Sequence, residues 1–253
     1  MKYVVDGPPD GEVVVLSGSL GSDLRMWDPQ IEPLTSAGFR VVRYDHRGHG
    51  GSPVPQGPYS LAELAGDLLE LLDSLEVRRA HLVGLSLGGM VGMWLGRHAP
   101  DRLNRLVLCA TSAKLLTPED WEDRARLVRA EGTVAVADSV VGRWLTDGYR
   151  AANPERTAEL RAMVESTPAE GYASCCGAIG AMDLTPDLAS ITAPTLAIFG
   201  QQDPATPPDH GQRIADAIPK ARLEVLDPGA HLVNVEQAAR VSELIVEHLS
   251  AKE

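Results

Sequence analysis

The pentapeptide Gly84-Leu85-Ser86-Leu87-Gly88 places one serine between two glycines, directly after an apolar run. A serine hydroxyl acts as a nucleophile only when a base within hydrogen-bonding reach removes its proton. On a sharp strand-to-helix turn, flanking glycines expose the hydroxyl and let the strand and the helix approach each other. The next N–H, of Leu87, then lies at the helix N-terminus, where partial positive charge favours an oxyanion. The pattern predicts a nucleophile at Ser86, although a tight turn whose glycines only ease packing is the simpler alternative.

Two later residues could activate this serine. Asp203 comes just after the apolar run 195–200, and His231 follows the run 222–227. Sites in α/β proteins gather at the carboxyl ends of parallel strands, so both side chains are expected at the same sheet edge as the serine. Alone, each residue has a plainer explanation, as a solvated loop aspartate or a structural histidine. Their order and placement together predict a triad in which His231 is the base and Asp203 orients it.

A glycine-containing loop, residues 18–22, follows the first strongly apolar run. It lacks the G-x-G-x-x-G spacing of a dinucleotide site, and we predict no organic cofactor. Its backbone can instead supply the second oxyanion N–H, opposite Leu87. Ser19 is the candidate donor, and Leu20 is the alternative.

The stretch 45–52, DHRGHGGS, contains three residues of metal-binding type: Asp45, His46 and His49. Histidine nitrogens and carboxylate oxygens are ordinary zinc ligands. The three glycines of the stretch favour a compact loop over a metal centre. We therefore predict no metal site.

The elements that must position these residues are alternating strands and helices. Short runs rich in Val, Leu and Ile are apolar without alternation, which is typical of strands buried on both faces of a parallel sheet. The predicted strands span 12–18, 40–45, 80–85, 105–110, 195–200 and 222–227. Ser60 and Glu63 form a capping-box pattern before a helix whose leucines recur on one face. The layout predicts an α/β fold, with a mostly parallel sheet flanked by helices.

Strand patterns are missing from residues 113–183, where helical signals dominate. Thr117-Pro118 and Thr167-Pro168 each resemble an N-cap followed by proline at the first helical position. Strand patterns resume afterwards, so the segment reads as an insertion into one domain whose core is 1–112 and 184–253. We predict a helical cap over the site rather than a decorative insertion.

Composition limits the partners of the chain. A formal net charge of −12 over 253 residues argues against nucleic acid or an anionic membrane surface. No apolar run reaches membrane-spanning length, and the N-terminus lacks the apolar segment of a signal peptide. The three cysteines form neither a disulfide framework nor a CxxC pair. These features predict a cytoplasmic protein with a small-molecule substrate, and they leave its oligomeric state open.

The glycine-flanked turn at residues 84–88 (the elbow), together with Asp203 and His231, resembles the α/β-hydrolase superfamily. Several longer stretches are similar, more narrowly, to 3-oxoadipate enol-lactonases: 19–34, 43–52, 84–96, 170–183 and 203–208. The resemblance implies an α/β-hydrolase fold and a cofactor-free serine hydrolase that opens an enol-lactone. One departure is Ser17-Gly18, where many hydrolases have His-Gly in the oxyanion loop. It leaves the choice between Ser19 and Leu20 open.

The substrate implied by this resemblance carries a carboxylate, whereas the net charge of the chain repels anions at long range. A local cation is therefore required, and a guanidinium suits a carboxylate through its paired donors. Arg25 follows the oxyanion loop, and Arg143 precedes Trp144 in the predicted cap. We predict all three as substrate-binding residues, against the alternative that each arginine is only a surface ion-pair residue.

Two other functions remain open at this stage. One is hydrolysis of a different ester, lactone or carbon–carbon bond on the same fold. The second is a ligand sensor built on a hydrolase scaffold, for which turnover is incidental. Fast turnover of a metabolite would distinguish an enzyme from a sensor.

Overall fold

Seven strands form a single sheet in the computed structural model, which describes residues 1–251. Their spatial order is β1-β3-β2-β4-β5-β6-β7, and every neighbouring pair is parallel except β1 with β3. The strands are β1 (Tyr3–Asp6), β2 (Val13–Ser17), β3 (Arg40–Tyr44), β4 (Ala80–Leu85), β5 (Leu103–Cys109), β6 (Thr195–Gly200) and β7 (Ala221–Leu226). Every residue of β2, β4 and β6 is buried, so helices cover both faces of the central sheet.

The six strands predicted from apolar runs correspond to β2–β7, and the predicted α/β class is confirmed. Strand β1 was not predicted. This strand has four residues at the edge of the sheet, and Tyr3 and Val5 are exposed. A short, half-exposed edge strand lacks the continuous apolar run that marks the buried strands.

Eleven helices accompany the sheet in the described part of the chain. They are α1 (Asp28–Ser36), α2 (Leu61–Ser74), α3 (Leu87–His98), α4 (Pro118–Glu131), α5 (Val134–Trp144), α6 (Asp147–Ala152), α7 (Pro154–Glu165), α8 (Ala169–Gly180), α9 (Pro208–Ala217), α10 (Val233–Glu236) and α11 (Ala238–Ser250). Helix α1 packs against α11, whereas α3 packs against α2 and against β4 and β5. Within residues 1–251, no helix combines the length and the apolarity that crossing a bilayer requires.

Helix starts follow the capping signals in the sequence with one exception. Ser60 and Glu63 form a complete capping box at α2, and Thr117 forms another at α4. Helix α8 begins at Ala169 with Pro168 as its N-cap, one residue later than predicted. The hydroxyl of Thr167 instead donates to the carbonyl of Met163 at the end of the preceding helix.

The five helices α4–α8 all lie between β5 and β6, inside the range 113–183 assigned to the cap. Two of them, α4 and α8, form the closest helix pair of this segment, and α5 packs against α7. The cap meets the core where Gly48 lies against Gly171: a Cβ on Gly48 would come within 2.4 Å of the Gly171 Cα. The two backbones are in direct contact there, so neither position can carry a side chain.

Candidate active site

Ser86 occupies the single residue between the end of β4 and the start of α3. Its backbone angles are φ 54° and ψ −111°, a region that residues other than glycine rarely adopt. Two bonds hold this conformation: the Ser86 N–H donates to the Cys109 carbonyl at 2.9 Å, and the Ser86 carbonyl accepts from Thr111 Oγ1 at 2.7 Å. The turn is therefore anchored to β5 and to the residues that follow it, as a nucleophile elbow requires.

The glycines of the elbow allow backbone to meet backbone. A Cβ on Gly84 would lie 2.3 Å from the carbonyl oxygen of Gly88, and a Cβ on Gly88 would lie 2.1 Å from that of Ser17. Both distances are far below van der Waals contact, so strand and helix can approach this closely only through glycine. This arrangement accounts for the spacing of the pentapeptide.

Asp203 and His231 form a buried hydrogen-bonded pair, with Asp203 Oδ2 and His231 Nδ1 2.8 Å apart. Asp203 also accepts from the N–H of Ala205 and from the N–H and hydroxyl of Thr206. Burial raises the pKa of Asp203, but His231 and the Thr206 donors outweigh it and hold the pKa below the ordinary value. The carboxylate therefore stays ionised near neutral pH. It orients the imidazole through Nδ1 and does not contact Nε2.

One small cavity, of about 60 Å³, brings the predicted residues together. Its core wall consists of Ser19, Leu20, Ser86, Ala205 and His231. Its cap wall includes Trp121, Arg124, Arg143, Trp144 and Tyr172. A volume of this size holds only a few water molecules.

Two backbone N–H groups beside Ser86 are candidates for an oxyanion hole. The Leu87 N–H is at the first position of α3 and has no acceptor within residues 1–251. On the opposing loop, the Ser19 N–H donates to the Met26 sulfur at 3.3 Å, and the Leu20 N–H has no partner in the described chain. A thioether is a weak acceptor, so neither Ser19 nor Leu20 is committed to a strong one. Both remain candidate donors beside Leu87.

The three residues considered as metal ligands support the oxyanion loop instead. His49 Nε2 accepts from the Gly21 N–H at 3.0 Å, His46 Nε2 lies 3.2 Å from the Gly18 carbonyl oxygen, and Asp45 accepts from the Leu24 N–H. Burial lowers the pKa of His46 to about 3 and that of His49 to about 4, so both rings are neutral. No group of three potential ligands in residues 1–251 is arranged for a metal ion. Loop 45–52 thus supports residues 18–24 through these contacts.

Arg143 and Arg124 give the cap wall its positive charge. Arg143 is half-buried, and its pKa is lowered first by burial and then by the neighbouring Arg124. Arg124 Nε donates to the Tyr172 hydroxyl at 3.0 Å, and its guanidinium lies over the rings of Trp121 and Tyr172. Neither arginine forms a salt bridge with a carboxylate of the described chain. Two guanidinium groups without anionic partners therefore face the cavity.

Of the predicted substrate-binding residues, the structure places Arg143 and Trp144 at the cavity and Arg25 away from it. The Arg25 side chain is 61% exposed and pairs with Asp23 at 2.6 Å. Asp23 caps the short 3-10 helix that begins at Leu24, and this capping turns Arg25 back toward it. The structure therefore does not bring Arg25 to the cavity. Arg124 was not predicted, because its only signal in the sequence is its position three residues after Trp121 on α4.

A larger groove of about 460 Å³ lies beside the edge strand β1, between β1 and α2. Arg47 and Asp67 on its wall pair with each other at 2.6 Å. The groove contains none of the residues of the elbow or the histidine pair. The predicted site residues therefore line the smaller cavity and not this groove.

Comparisons with known proteins agree with this fold. A family model described as the alpha/beta hydrolase fold matches residues 12–238. The chain is 40% identical to 3-oxoadipate enol-lactonase 2 of Acinetobacter baylyi, over 94% of this chain and 88% of that protein. It is 34% identical to a putative carbamate hydrolase RutD of Variovorax paradoxus, over 99% of this chain and 96% of that protein.

Among solved structures, the enol-lactonase from Burkholderia xenovorans LB400 superimposes with a TM-score of 0.96 at 43% identity. The match covers 99% of this chain and 96% of that structure. The resemblance stated from the sequence motifs is confirmed by these relatives. The chain therefore belongs to the alpha/beta hydrolase family, and it is a hydrolase.

Proposed function

We propose that the protein is a serine hydrolase that opens 3-oxoadipate enol-lactone to 3-oxoadipate. The observation that carries this proposal is the pairing of two walls in one cavity. Ser86 and His231 lie on the core wall, and two guanidinium groups without carboxylate partners lie on the cap wall. A hydrolase of neutral esters gains nothing from burying the guanidinium of Arg143 beside its nucleophile without a carboxylate partner, since burial of unpaired charge is unfavourable.

In the first half-reaction, Ser86 Oγ attacks the lactone carbonyl carbon while His231 takes the hydroxyl proton. The carbonyl oxygen becomes an oxyanion, and the N–H of Leu87 together with that of Ser19 or Leu20 stabilises it. The ring C–O bond then breaks, and the leaving enol oxygen receives the proton from His231. Conversion of the enol to a ketone makes the ring opening difficult to reverse.

The second half-reaction releases the acyl group from Ser86. His231 removes a proton from water, and the resulting oxygen nucleophile adds to the ester carbonyl carbon. Collapse of this intermediate breaks the bond to Ser86 Oγ, which regains its proton from His231. Asp203 stays ionised throughout and holds the imidazole in the required orientation. No metal or organic cofactor takes part in the proposed steps.

Arg143 and Arg124 bind the substrate carboxylate in this proposal. Arg143 is the freer of the two, because Arg124 already bonds to the Tyr172 hydroxyl. A carboxylate placed between them would restore to Arg143 part of the charge stabilisation that burial and Arg124 remove. Their position fixes the acid group of the substrate on the cap side and leaves its carbonyl on the core side.

The test is a substrate panel measured at steady state. It compares the enol-lactone with its neutral primary-amide analogue, with p-nitrophenyl acetate and with a carbamate of similar size. We expect kcat/KM for the charged lactone to exceed that for the amide analogue by about 10- to 100-fold, the effect of a hydrogen bond to a charged group. Preference for the carbamate, the substrate class in the name of the Variovorax relative, would replace the lactone in this proposal.

A further inference from the structure

Glu236 bonds to both the core and the cap, and the proposed reaction does not use it. Its Oε2 atom accepts the N–H of Ala230, the residue before His231. Its Oε1 atom accepts the N–H of Thr146 at 2.7 Å and the hydroxyl of the same residue at 2.8 Å. One carboxylate therefore bonds to the core segment that carries the base and to the cap.

The cap side of this link is the end of α5, which carries two cavity residues. Arg143 and Trp144 are the last residues of α5, and Thr146 follows them by two positions. The Trp144 carbonyl accepts the N–H of Leu232 at 2.8 Å. Both neighbours of His231 in the chain are thus tied to the end of α5, Leu232 directly and Ala230 through Glu236.

The carboxylate of Glu236 is compensated by hydrogen-bond donors rather than by a positively charged side chain. Three hydrogen bonds reach its two oxygens, and no arginine or lysine within residues 1–251 pairs with it. Hydrogen bonds to an ionised acceptor are about twice as strong as neutral ones. A carboxylate placed this way fixes the distance between the two chain segments that it joins.

We propose that Glu236 is a positioning residue that keeps Arg143 and His231 in a fixed relative placement. An anion held by Arg143 then presents its carbonyl carbon where Ser86 and His231 act on it. This inference rests on the proposed function, because it takes His231 as the base and Arg143 as a ligand of the substrate carboxylate. Productive binding of a charged substrate depends on this placement, whereas binding of a neutral ester does not.

Glu236→Gln tests the proposal with little change in volume. Glutamine has one acceptor oxygen, and its NH₂ group cannot accept, so the variant must lose the bond to the Ala230 N–H or the bond to the Thr146 N–H. Glu243→Gln is the matched control, because Glu243 lies on α11 and pairs only with the exposed Arg240. Circular dichroism and the thermal midpoint establish that each variant is folded.

We expect Glu236→Gln to raise KM for the charged lactone on the order of tenfold and to leave KM for the neutral amide analogue within about twofold. Loss of folded protein alone would lower the apparent kcat and leave both KM values unchanged. In an Arg143→Met background, the same change adds nothing further to KM for the charged lactone, because both act through one interaction. Equal KM changes on the two substrates, full additivity with Arg143→Met, or behaviour identical to Glu243→Gln would overturn the proposal.

Thr146→Val provides a second route to the same answer if Glu236→Gln does not fold. It removes the hydroxyl donor and keeps the N–H, so a smaller KM rise is expected, again only for the charged lactone. An equal effect on both substrates, or none, contradicts the proposal. Ser86→Ala measured in parallel separates the two levels of inference: activity retained there rejects the proposed function, whereas an inactive Ser86→Ala with an unaltered Glu236→Gln rejects only the role of Glu236.

Discussion

The core wall and the cap wall of the cavity are built by different means. On the core wall, Ser86 is held by backbone contacts: its N–H and carbonyl bond to Cys109 and Thr111, and Gly88 touches the backbone of Ser17. On the cap wall, Arg124 is held by a phenol hydroxyl and two aromatic rings, and Arg143 has no fixed partner in the described chain. Backbone contacts allow almost no substitution, whereas side-chain contacts can be exchanged.

This difference separates chemistry from substrate choice. Atoms that make and break bonds must be placed within a few tenths of an ångström, and the packed sheet edge provides that precision. A cap made of side chains on helices can change its charge without disturbing the elbow. We therefore expect substitutions in the core wall to act on kcat or on stability, and those in the cap wall to act on the KM of charged substrates.

The largest expected effect is that of Ser86→Ala, which removes the proposed nucleophile. We expect kcat to fall by at least about 10³-fold on every substrate, charged or neutral, because acyl transfer needs the hydroxyl itself. Steady-state kinetics and thermal unfolding measure the change. Ser242→Ala, at a buried serine that bonds only within the region of α1 and α11, is the control and keeps full activity. Activity of Ser86→Ala within about tenfold of the parent would contradict the assignment.

Next in size is the contrast between two glycine substitutions. Gly88→Ala places a Cβ 2.1 Å from the Ser17 carbonyl oxygen, and we expect it to lower the free energy of unfolding by about 3 kcal/mol or more. Gly142→Ala, inside α5 with no atom near its Cβ position, is expected to raise it by about 0.5–1 kcal/mol. Urea unfolding followed by fluorescence measures both. Similar values for the two variants would remove the distinction between a backbone-packed core wall and an open cap.

Arg143→Met tests the role of the cap wall in binding charged substrates. We expect KM for the charged lactone to rise by about 10- to 100-fold, as for loss of a hydrogen bond to a charged group. KM for its neutral amide analogue should stay within about twofold. Arg25→Met is the matched control and leaves both values unchanged, because Arg25 pairs with Asp23 outside the cavity. A loss of equal size on both substrates would remove Arg143 from carboxylate recognition.

The smallest effect concerns stability at acid pH. We expect its pH dependence to arise from histidines of the core rather than of the cap. All seven histidines lie outside residues 113–183. The pKa is lowered to about 3 in His46 and to about 4 in His49, whereas both rings titrate near 6.5 in an unfolded chain. Below pH ~6.5 the unfolded chain binds more protons, so stability is greatest above this pH and decreases as the pH falls, by about 1.4 kcal/mol per pH unit for each ring.

His49→Gln tests this assignment, since its amide oxygen can still accept the Gly21 N–H that His49 accepts. Between pH 4.5 and 6, we expect the dependence of the free energy of unfolding on pH to become shallower by about 1 kcal/mol per pH unit. Urea unfolding at a series of pH values gives the slope. An unchanged slope would mean that acid sensitivity originates elsewhere.

The core wall was predictable from sequence because its constraints are local. A serine that must sit at positive φ between strand and helix leaves a fixed glycine pattern, and Asp203 and His231 each follow a recognisable buried strand. The edge strand β1 left no such pattern, since its four residues are half exposed.

The cap wall was predictable only in part, because side-chain direction is a tertiary property. Arg143 and Arg25 were equal candidates by their positions along the chain. Only the structure shows that Asp23 holds Arg25 at the surface and that Arg124 reaches the cavity across Trp121. The link through Glu236 joins residues far apart in the sequence, and no periodicity indicates it.

The insertion of the cap between two neighbouring strands has a consequence for folding. Strand β5 ends at Cys109 and its partner β6 begins at Thr195, so this pairing closes a long loop, and β7 joins the sheet only through β6. Contacts of such high sequence separation form slowly, because the chain loses the entropy of loop closure before the contacts contribute any stabilisation. The segment that carries Ser86 pairs locally, whereas Asp203 and His231 arrive with the last strands. During refolding, the return of hydrolytic activity should therefore lag behind the return of helical circular dichroism.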